Sequence, residues 1–192
     1  MVRDLKTPLT AEVVRTLKCG EHLTISGTIY TARDAAHKRL VELIAKGGEP
    51  PIPLADSILY YTGPTPAREG QAIGSAGPTT SERMDAYSPT LLAAGNRGMI
   101  GKGKRNQEVI EAIKRYGGVY FGAVGGAGAL LSKCIKSAEI VAYEDLGAEA
   151  IFCLEVEKFP VVVVIDSEGQ NLYETSRTEY LKATTSTLQG RP

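Results

Sequence analysis

The residues "AGPTTSERMD", Ala76 to Asp85, place two adjacent hydroxyls and an arginine directly after a Gly-Pro turn. The pattern predicts the start of a helix, where Thr79 or Thr80 could serve as the N-cap. The same positions could form an anion site, because Arg83 and the backbone N–H groups of a helix start are both positive. Threonine is a weak base, so Thr79 could transfer a proton only in strongly positive surroundings. These residues alone leave both interpretations open.

Two further cations occupy comparable places. Arg33 follows a predicted strand at the start of a predicted helix, and Lys102 follows a short strand in "GKGK", with Lys104 two residues away. Cations normally avoid helix N-termini, where the helix dipole is already positive. Arg33, Arg83 and Lys102 therefore predict a pocket for a small polyanion, with solvated surface charge as the alternative. His37, one helical turn after Arg33, could face the same pocket or the solvent.

The stretch "GAVGGAGALL" suggests a different class of site. It follows a predicted strand and opens a predicted helix, and Glu144 lies near the acidic position of a dinucleotide-binding unit. The full GxGxxG spacing is absent, because Leu131 stands where the third glycine would be. A nucleotide-binding module that uses the Gly125–Gly128 loop is therefore an alternative. A tight turn that allows close packing explains these glycines as well.

The composition limits the possible partners. The chain has 192 residues, of which 43% are apolar, enough for one domain with a sizeable core. Lysine plus arginine equal aspartate plus glutamate at 22 residues each, which predicts no general attraction to nucleic acid or anionic lipid. No apolar run would span a membrane and no signal peptide is apparent, so we expect a cytoplasmic protein. The odd, widely spaced cysteines predict neither a zinc site nor a disulfide framework, and each is expected to be a small buried residue: Cys19, Cys134 and Cys153.

Strands and helices alternate along the chain, which predicts an α/β domain. Helical periodicity marks residues 10–20, 33–48 and 107–118, and strand patterns mark residues 22–32, 58–61 and 119–124. We also expect a strand within residues 71–77, a glycine-rich turn and helix over 125–138, another strand over 139–145, and two or three strands over 150–174. One domain is predicted over residues 1–175, followed by a polar tail over 176–192.

At "AGPTTSERMD" the sequence resembles the β subunit of class I fumarases and L-tartrate dehydratases, which are iron–sulfur hydro-lyases. The likeness covers almost the whole chain, in the blocks "SGTIYTARDAAHKRL", "GPTTSERMD", "GMIGKG", "YGGVYFGAVGGAGALL" and "EDLGAEAIFCLEVEKFPVVVVIDSEG". It implies a swivelling β/β/α domain with a mixed central sheet, and the reversible hydration of fumarate to (S)-malate. The alternatives are a tartrate dehydratase subunit and a purely structural partner.

The resemblance also implies a cofactor and a partner. A separate α subunit, in an α2β2 assembly, would hold a [4Fe–4S] cluster on three cysteines, and no cysteine of this chain matches that ligand set. The iron without a cysteine ligand would act as a Lewis acid on the substrate hydroxyl. Thr79 is similar to the threonine proposed as the catalytic base. The residues that the resemblance places against the dicarboxylate are Arg33, Thr80, Arg83 and Lys102.

Overall fold

The computed structural model describes residues 2–123 and 126–175, so the predicted polar tail, 176–192, lies outside the described residues. The strands are β1 Arg3–Lys6, β2 His22–Thr31, β3 Ile58–Tyr60, β4 Gly98–Gly101, β5 Val119–Gly122, β6 Ile135–Ala142 and β7 Ile151–Ile165. The α-helices are α1 Ala11–Thr16, α2 Asp34–Ala45, α3 Ser88–Ala93, α4 Gln107–Tyr116 and α5 Gly128–Leu131. Short 3₁₀ turns cover Ser81–Met84, Ser132–Cys134 and Glu144–Glu149.

The seven strands form one mixed sheet that closes on itself. Strands β1 to β5 run parallel, each paired with the next in sequence, and β7 pairs antiparallel with β5, β6 and β2. Because β7 joins β5 back to β2, the strands β2, β3, β4, β5 and β7 make a barrel-like ring. The prediction of an α/β domain with a mixed central sheet is confirmed.

Most central strands are buried on both faces, because successive residues along a strand belong to two different apolar clusters. Ile58, Ile100 and Phe121 belong to one apolar cluster, which also takes in inward residues of β2 and β7. The neighbouring residues Leu59 and Met99 belong to a second cluster that packs against α2, α3 and α4. The ring therefore has an apolar interior and an outer layer of helices, and its strand ends stay fixed relative to each other.

Three sequence predictions for the fold are wrong. Residues 71–77 form no strand, and the helix expected over 125–138 ends at Leu131, after which Ile135 begins strand β6. The two or three strands expected after residue 150 are one strand of 15 residues, β7. Pro160 is tolerated inside it because β6 pairing ends at Val156 and β5 pairing begins at Val162, leaving one side of β7 unpaired between them.

The parallel strands end level with one another, and this alignment creates the candidate site. Thr31 of β2 is in register with Tyr60 of β3, Tyr60 with Ile100 of β4, and Ile100 with Phe121 of β5. The chain therefore leaves four neighbouring strands along one carboxyl rim, where ligand sites of parallel sheets commonly lie. Among the described residues, no helix is long and apolar enough to cross a membrane.

Candidate functional site

The "GPTT" segment lies at the carboxyl rim as a short extension of the sheet. The N–H of Thr79 donates to the carbonyl oxygen of Tyr61 at 2.6 Å, just past β3. Its own carbonyl accepts from the N–H of Lys102 at 3.2 Å, and the N–H of Ser81 donates to the Lys102 carbonyl at 2.9 Å. The segment is thus attached to the ends of β3 and β4, and Thr80 lies beside Lys102.

Side chains from β3 and the residues after it fix the approach to this segment. The hydroxyl of Tyr60 donates to the carbonyl oxygen of Ala76 at 2.5 Å, and that of Thr62 donates to the carbonyl of Gly77 at 2.8 Å. Tyr60 is fully buried, and its burial raises its pKa above the usual range for tyrosine. It therefore serves as a neutral hydrogen-bond donor that holds the backbone just before Thr79.

Ser81 holds the other end of the segment and requires a glycine opposite. Its Oγ lies 2.9 Å from the hydroxyl of Tyr120, which also donates to the carbonyl of Gly103. A Cβ added at Gly101 would lie 2.0 Å from the Ser81 Oγ and 3.0 Å from a ring carbon of Tyr61. Only glycine leaves room at the end of β4 for this close approach.

Neither threonine acts as the helix cap that the sequence allowed. Thr80 occupies the N-cap position of the 3₁₀ turn, yet its side chain makes no capping hydrogen bond. The Thr79 hydroxyl likewise has no hydrogen-bond partner among the described residues. Thr79 is half-buried and Thr80 is exposed at the rim. Both hydroxyls are thus available to a ligand, and capping does not explain the pair.

Arg33 and Arg83 are brought together by an acid that the sequence analysis did not assign to the site. The Oδ1 of Asp34 lies 2.8 Å from the Nε of Arg83, and its Oδ2 lies 3.7 Å from the Nη2 of Arg33. The Oε1 of Glu149 lies 3.4 Å from the same Nη2. Lys38 lies one helical turn after Asp34, but it pairs with Glu42 instead.

The two arginines differ in which of their guanidinium nitrogens contact other described residues. Arg33 is the N-cap residue of α2 and lies against Gly63, where an added Cβ would be 2.7 Å from its Nη1. Its Nε is buried without a hydrogen-bond partner among the described residues. The Arg83 side chain is 52% exposed, and its ion pair with Asp34 is at Nε, so its two terminal nitrogens have no partner among the described residues. A carboxylate could bind this open fork in a bidentate manner.

Lys102 reaches the rim but joins neither arginine. Its backbone lies beside Thr80, and its exposed side chain lines a cleft of about 260 Å³ with Gly122 and Ala123 of the β5 end. Among the described residues, no acid pairs with Lys102 and so none connects it to Arg33 or Arg83. The structure therefore gathers the residues in two groups on one rim, the arginines through Asp34 and the threonines with Lys102.

His37 is buried completely, which excludes the solvent-facing alternative. Its Nδ1 donates to the carbonyl oxygen of Arg33 at 3.0 Å, and its ring packs edge-on against Tyr61 with centroids 5.1 Å apart. The Nε2 is buried without a described partner. Burial above all, with the nearby Arg105 charge, lowers the pKa of His37 to about 4. A neutral imidazole here steadies the backbone of Arg33.

A buried ion pair under the site was also absent from the sequence analysis. The Nε of Arg105 donates to Asp85 at 2.6 Å, and its Nη2 donates to Ser88 at 2.6 Å. The second oxygen of Asp85 accepts from the N–H of Asn106 at 2.7 Å. The pair ties the 3₁₀ turn that carries Arg83 to the start of α4. The only sequence signal was an acid at the end of "GPTTSERMD" and an arginine before the N-cap of α4.

The glycine-rich stretch fits packing better than nucleotide binding. Residues 124–125 lie outside the described part, and the helix that follows, α5, has only four residues. So short a helix has little of the dipole that a phosphate site uses. A Cβ at Gly128 would lie 2.4 Å from the Oγ of Ser75 and 2.9 Å from the N of Gly77. Close approach to the loop before "GPTT" therefore accounts for this glycine.

The three cysteines do not converge. Cys19 contacts Val164 near the end of β7, Cys153 lies near the beginning of β7, and Cys134 precedes β6. All three are free and only partly buried, so the expectation that each is a buried residue is wrong, and their partial burial raises the pKa of each thiol. Among the described residues, no group of three His, Cys, Asp or Glu side chains could hold a metal ion. These thiols therefore do not fit as the ligands of one iron–sulfur cluster.

A closed mixed sheet with cations and free hydroxyls on its carboxyl rim defines an α/β domain with a candidate anion site. Comparison with known proteins makes this class specific, because a family model described as Fumarase C-terminus matches residues 2–176. The chain belongs to this family, as the resemblance predicted.

Individual relatives differ in how much of their length the chain covers. It is 44% identical over 154 residues to "Fumarate hydratase class I, aerobic" of Escherichia coli (strain K12), which is 79% of this chain but only 28% of that protein. It is 37% identical over 174 residues to "Fumarate hydratase 2" of Leishmania major, 88% of this chain and 31% of that protein. It is 37% identical over 172 residues to "Putative L(+)-tartrate dehydratase subunit beta" of Methanocaldococcus jannaschii, with coverage of 86% and 88%.

Proposed function

We propose that this chain is the β subunit of a class I fumarate hydratase, which hydrates fumarate to (S)-malate reversibly. The observation that carries the proposal is the pair Arg33 and Arg83, which Asp34 joins at the carboxyl rim. The same rim presents Thr79, whose hydroxyl does not cap a helix. Fumarate and malate are dianions, and two guanidiniums held near each other suit two carboxylates. The fumarate hydratase names of the relatives support the same assignment.

In the proposed mechanism Arg33 and Arg83 bind the two ends of the dicarboxylate, with Thr80 and Lys102 as further contacts. In the dehydration direction, Thr79 in its alkoxide form takes the proton from the carbon next to a carboxylate. Negative charge then develops on that carboxylate, where a guanidinium stabilises it. The electron pair next forms the carbon–carbon double bond as the hydroxyl on the neighbouring carbon leaves, which gives fumarate. Lys102, which adjoins Thr79 through the backbone and has no acidic partner among the described residues, would favour the alkoxide form of Thr79, which an isolated threonine would not adopt.

The proposal includes a partner, because this chain's described cysteines do not fit a cluster. We assign a [4Fe–4S] cluster to an α subunit, in an α2β2 assembly with this chain as the swivelling β/β/α domain. The name "subunit beta" of the relative from Methanocaldococcus jannaschii, of which the chain covers 88%, supports a divided enzyme. When bound, the cluster would supply a Lewis acid for the substrate hydroxyl.

L-Tartrate dehydratase is the second candidate. The relative from Methanocaldococcus jannaschii, 88% of whose length the chain covers, carries that name. Tartrate has two carboxylates like malate and one more hydroxyl, so the same arginines serve both substrates. The two functions differ in whether the pocket accepts the extra hydroxyl.

The assembled enzyme distinguishes these functions. Co-expression with a cluster-bearing partner should give a complex that turns over fumarate and (S)-malate with a higher kcat/KM than L-tartrate. A preference for L-tartrate would transfer the assignment to the dehydratase. A complex with an intact cluster that turns over none of the three would reject both, and dinucleotide binding followed by fluorescence would then favour the nucleotide alternative.

The role of Thr79 has its own test in that complex. Thr79→Val keeps the shape and removes the hydroxyl, so kcat should fall by about 10²–10⁴, the range typical of general acid–base catalysis. The KM should change little, because the arginines remain. Thr90→Val in α3 is the matched control and should leave kcat unchanged. A near-normal kcat for Thr79→Val would remove Thr79 from the mechanism.

A further inference from the structure

Asp34 lies between the two arginines, and the proposed mechanism uses it neither as the base nor as a substrate contact. Its two oxygens face different guanidiniums, Oδ1 at 2.8 Å from the Nε of Arg83 and Oδ2 at 3.7 Å from the Nη2 of Arg33. The Asp34 side chain is 28% exposed, and Oδ2 is buried without a hydrogen bond. A carboxylate so placed can control the separation and direction of both cations.

The contact with Arg83 is chemically selective. The Oδ1 of Asp34 forms its ion pair at Nε, on the side edge of the guanidinium, and the two terminal nitrogens have no partner among the described residues. Arg83 is an exposed residue of its 3₁₀ turn, and so long a side chain would otherwise sample many rotamers. Holding it by one edge directs the open fork without blocking it, which is how a bidentate carboxylate contact is pre-organised.

Asp34 is itself fixed by its place in the chain. It is the first residue of α2, directly after Arg33, so it has little freedom to move away from that arginine. Glu149 secures the same corner, because its Oε2 accepts from the N–H of Ala35 at 3.0 Å while its Oε1 faces Arg33. Two acids therefore balance two cations at the rim before any ligand binds.

We propose that Asp34 is a positioning residue, which orients Arg83 against Arg33 so that the pair matches the two carboxylates of one substrate. This inference rests on the proposed function for its substrate. The simpler alternative is that Asp34 is only a competing anion. A competing anion would weaken substrate binding, and its removal would lower KM without reducing kcat.

The first experiment needs no turnover. In the full chain labelled with ¹⁵N-arginine, the Arg83 Nε–Hε signal, assigned by its loss in Arg83→Lys, should shift or broaden in Asp34→Ala. Asp34→Asn, which retains an oxygen acceptor, should show a smaller change. Glu42→Ala is the control, because it removes an acid of the same helix that pairs with Lys38. An Arg83 signal that is unchanged in Asp34→Ala would overturn the inference.

The second experiment uses the assembled complex. Asp34→Ala should lower kcat for (S)-malate at least tenfold and change KM by less than threefold, because lost orientation and the lost negative charge affect affinity in opposite directions. In the Arg83→Ala background the same change should have almost no further effect, since Asp34 acts through Arg83. Glu42→Ala should retain wild-type kinetics.

The outcomes separate this inference from the proposed function. A lower KM with unchanged kcat, or equal losses from Asp34→Ala with and without Arg83, would reject positioning while the enzyme remains active. If Asp34→Ala lowers Tm but keeps a normal kcat per intact complex, Asp34 has a structural role only, and the positioning role is rejected. An inactive wild-type complex would reject the proposed function, and the arginine signals would still decide whether Asp34 orients Arg83.

Discussion

Replacing His37 with phenylalanine should make the stability of this protein less sensitive to acid. In the unfolded chain a histidine takes up a proton as the pH falls through about 6.5, whereas folded His37 stays neutral until its pKa of about 4. Between these values the unfolded state binds more protons, so the free energy of unfolding falls as the pH falls. The stability is fully present above about pH 6.5 and is lost progressively toward pH 4.

The magnitude follows from the same two pKa values. A tenfold change in proton affinity corresponds to about 1.4 kcal/mol, so the neutral imidazole contributes about 3 kcal/mol between the two ends of this range. The contribution is not reduced by solvent, because His37 is fully buried. The charged and titratable groups near its ring are Arg105, which opposes protonation, Asp34, which favours it, and the phenols of Tyr61 and Tyr87.

Urea unfolding of the full chain at several pH values between 4.5 and 7.5 measures this effect. Carboxylates titrate in the same range, so the useful quantity is the difference in slope between wild type and His37→Phe. Phenylalanine preserves the ring contact with Tyr61 and removes the titrating nitrogens. His22→Gln removes the exposed histidine and should follow the wild type. Parallel curves for wild type and His37→Phe would refute the assignment of the acid sensitivity to burial of this imidazole.

Three other substitutions test the site and its support. Arg83→Lys in the assembled complex should lower kcat/KM for (S)-malate by about 10- to 100-fold, because lysine lacks the planar fork; a wild-type value would contradict bidentate binding. Asp85→Ala should cost about 3–5 kcal/mol in urea unfolding, because it leaves the fully buried Arg105 unpaired; a cost below about 1 kcal/mol would show that another group compensates. Gly101→Ala should cost about 1–3 kcal/mol by forcing Ser81 aside, and adding Ser81→Ala should recover part of it; no recovery would point to the ring of Tyr61 as the dominant clash.

Local patterns were sufficient for the helices that have clear apolar stripes. The α2 and α4 helices fall within their predicted ranges, and Asn106 caps α4 with its side chain while Gly117 ends it in the left-handed conformation. The first half of β6, residues 135–138, was predicted as helix because most of the strand is exposed and lacks alternation, whereas its second half falls within the strand predicted over 139–145. Its conformation is determined by pairing with β7, which no local window contains.

Local sequence patterns likewise identified some residues of the candidate site and missed others. Arg33 and Arg83 could be singled out because a cation beside a helix start is unusual, and that signal is local. Their common partner could not be identified, since the contact of Asp34 with Arg83 joins distant parts of the chain. The pairing of Arg105 with Asp85 could not be identified either, because it depends on packing between elements.

The closed ring has a consequence for how the chain is made. The strand that pairs with β2, β5 and β6 is β7, and it lies after all of them in sequence. Until residues 151–165 have been synthesised, β2 and β5 expose unpaired edges that can join other chains. Closure over such long sequence separations is slow, so nascent chains pass through an open, association-prone sheet. A premature stop before Ile151 would leave that sheet permanently open, although every proposed substrate contact would already be present.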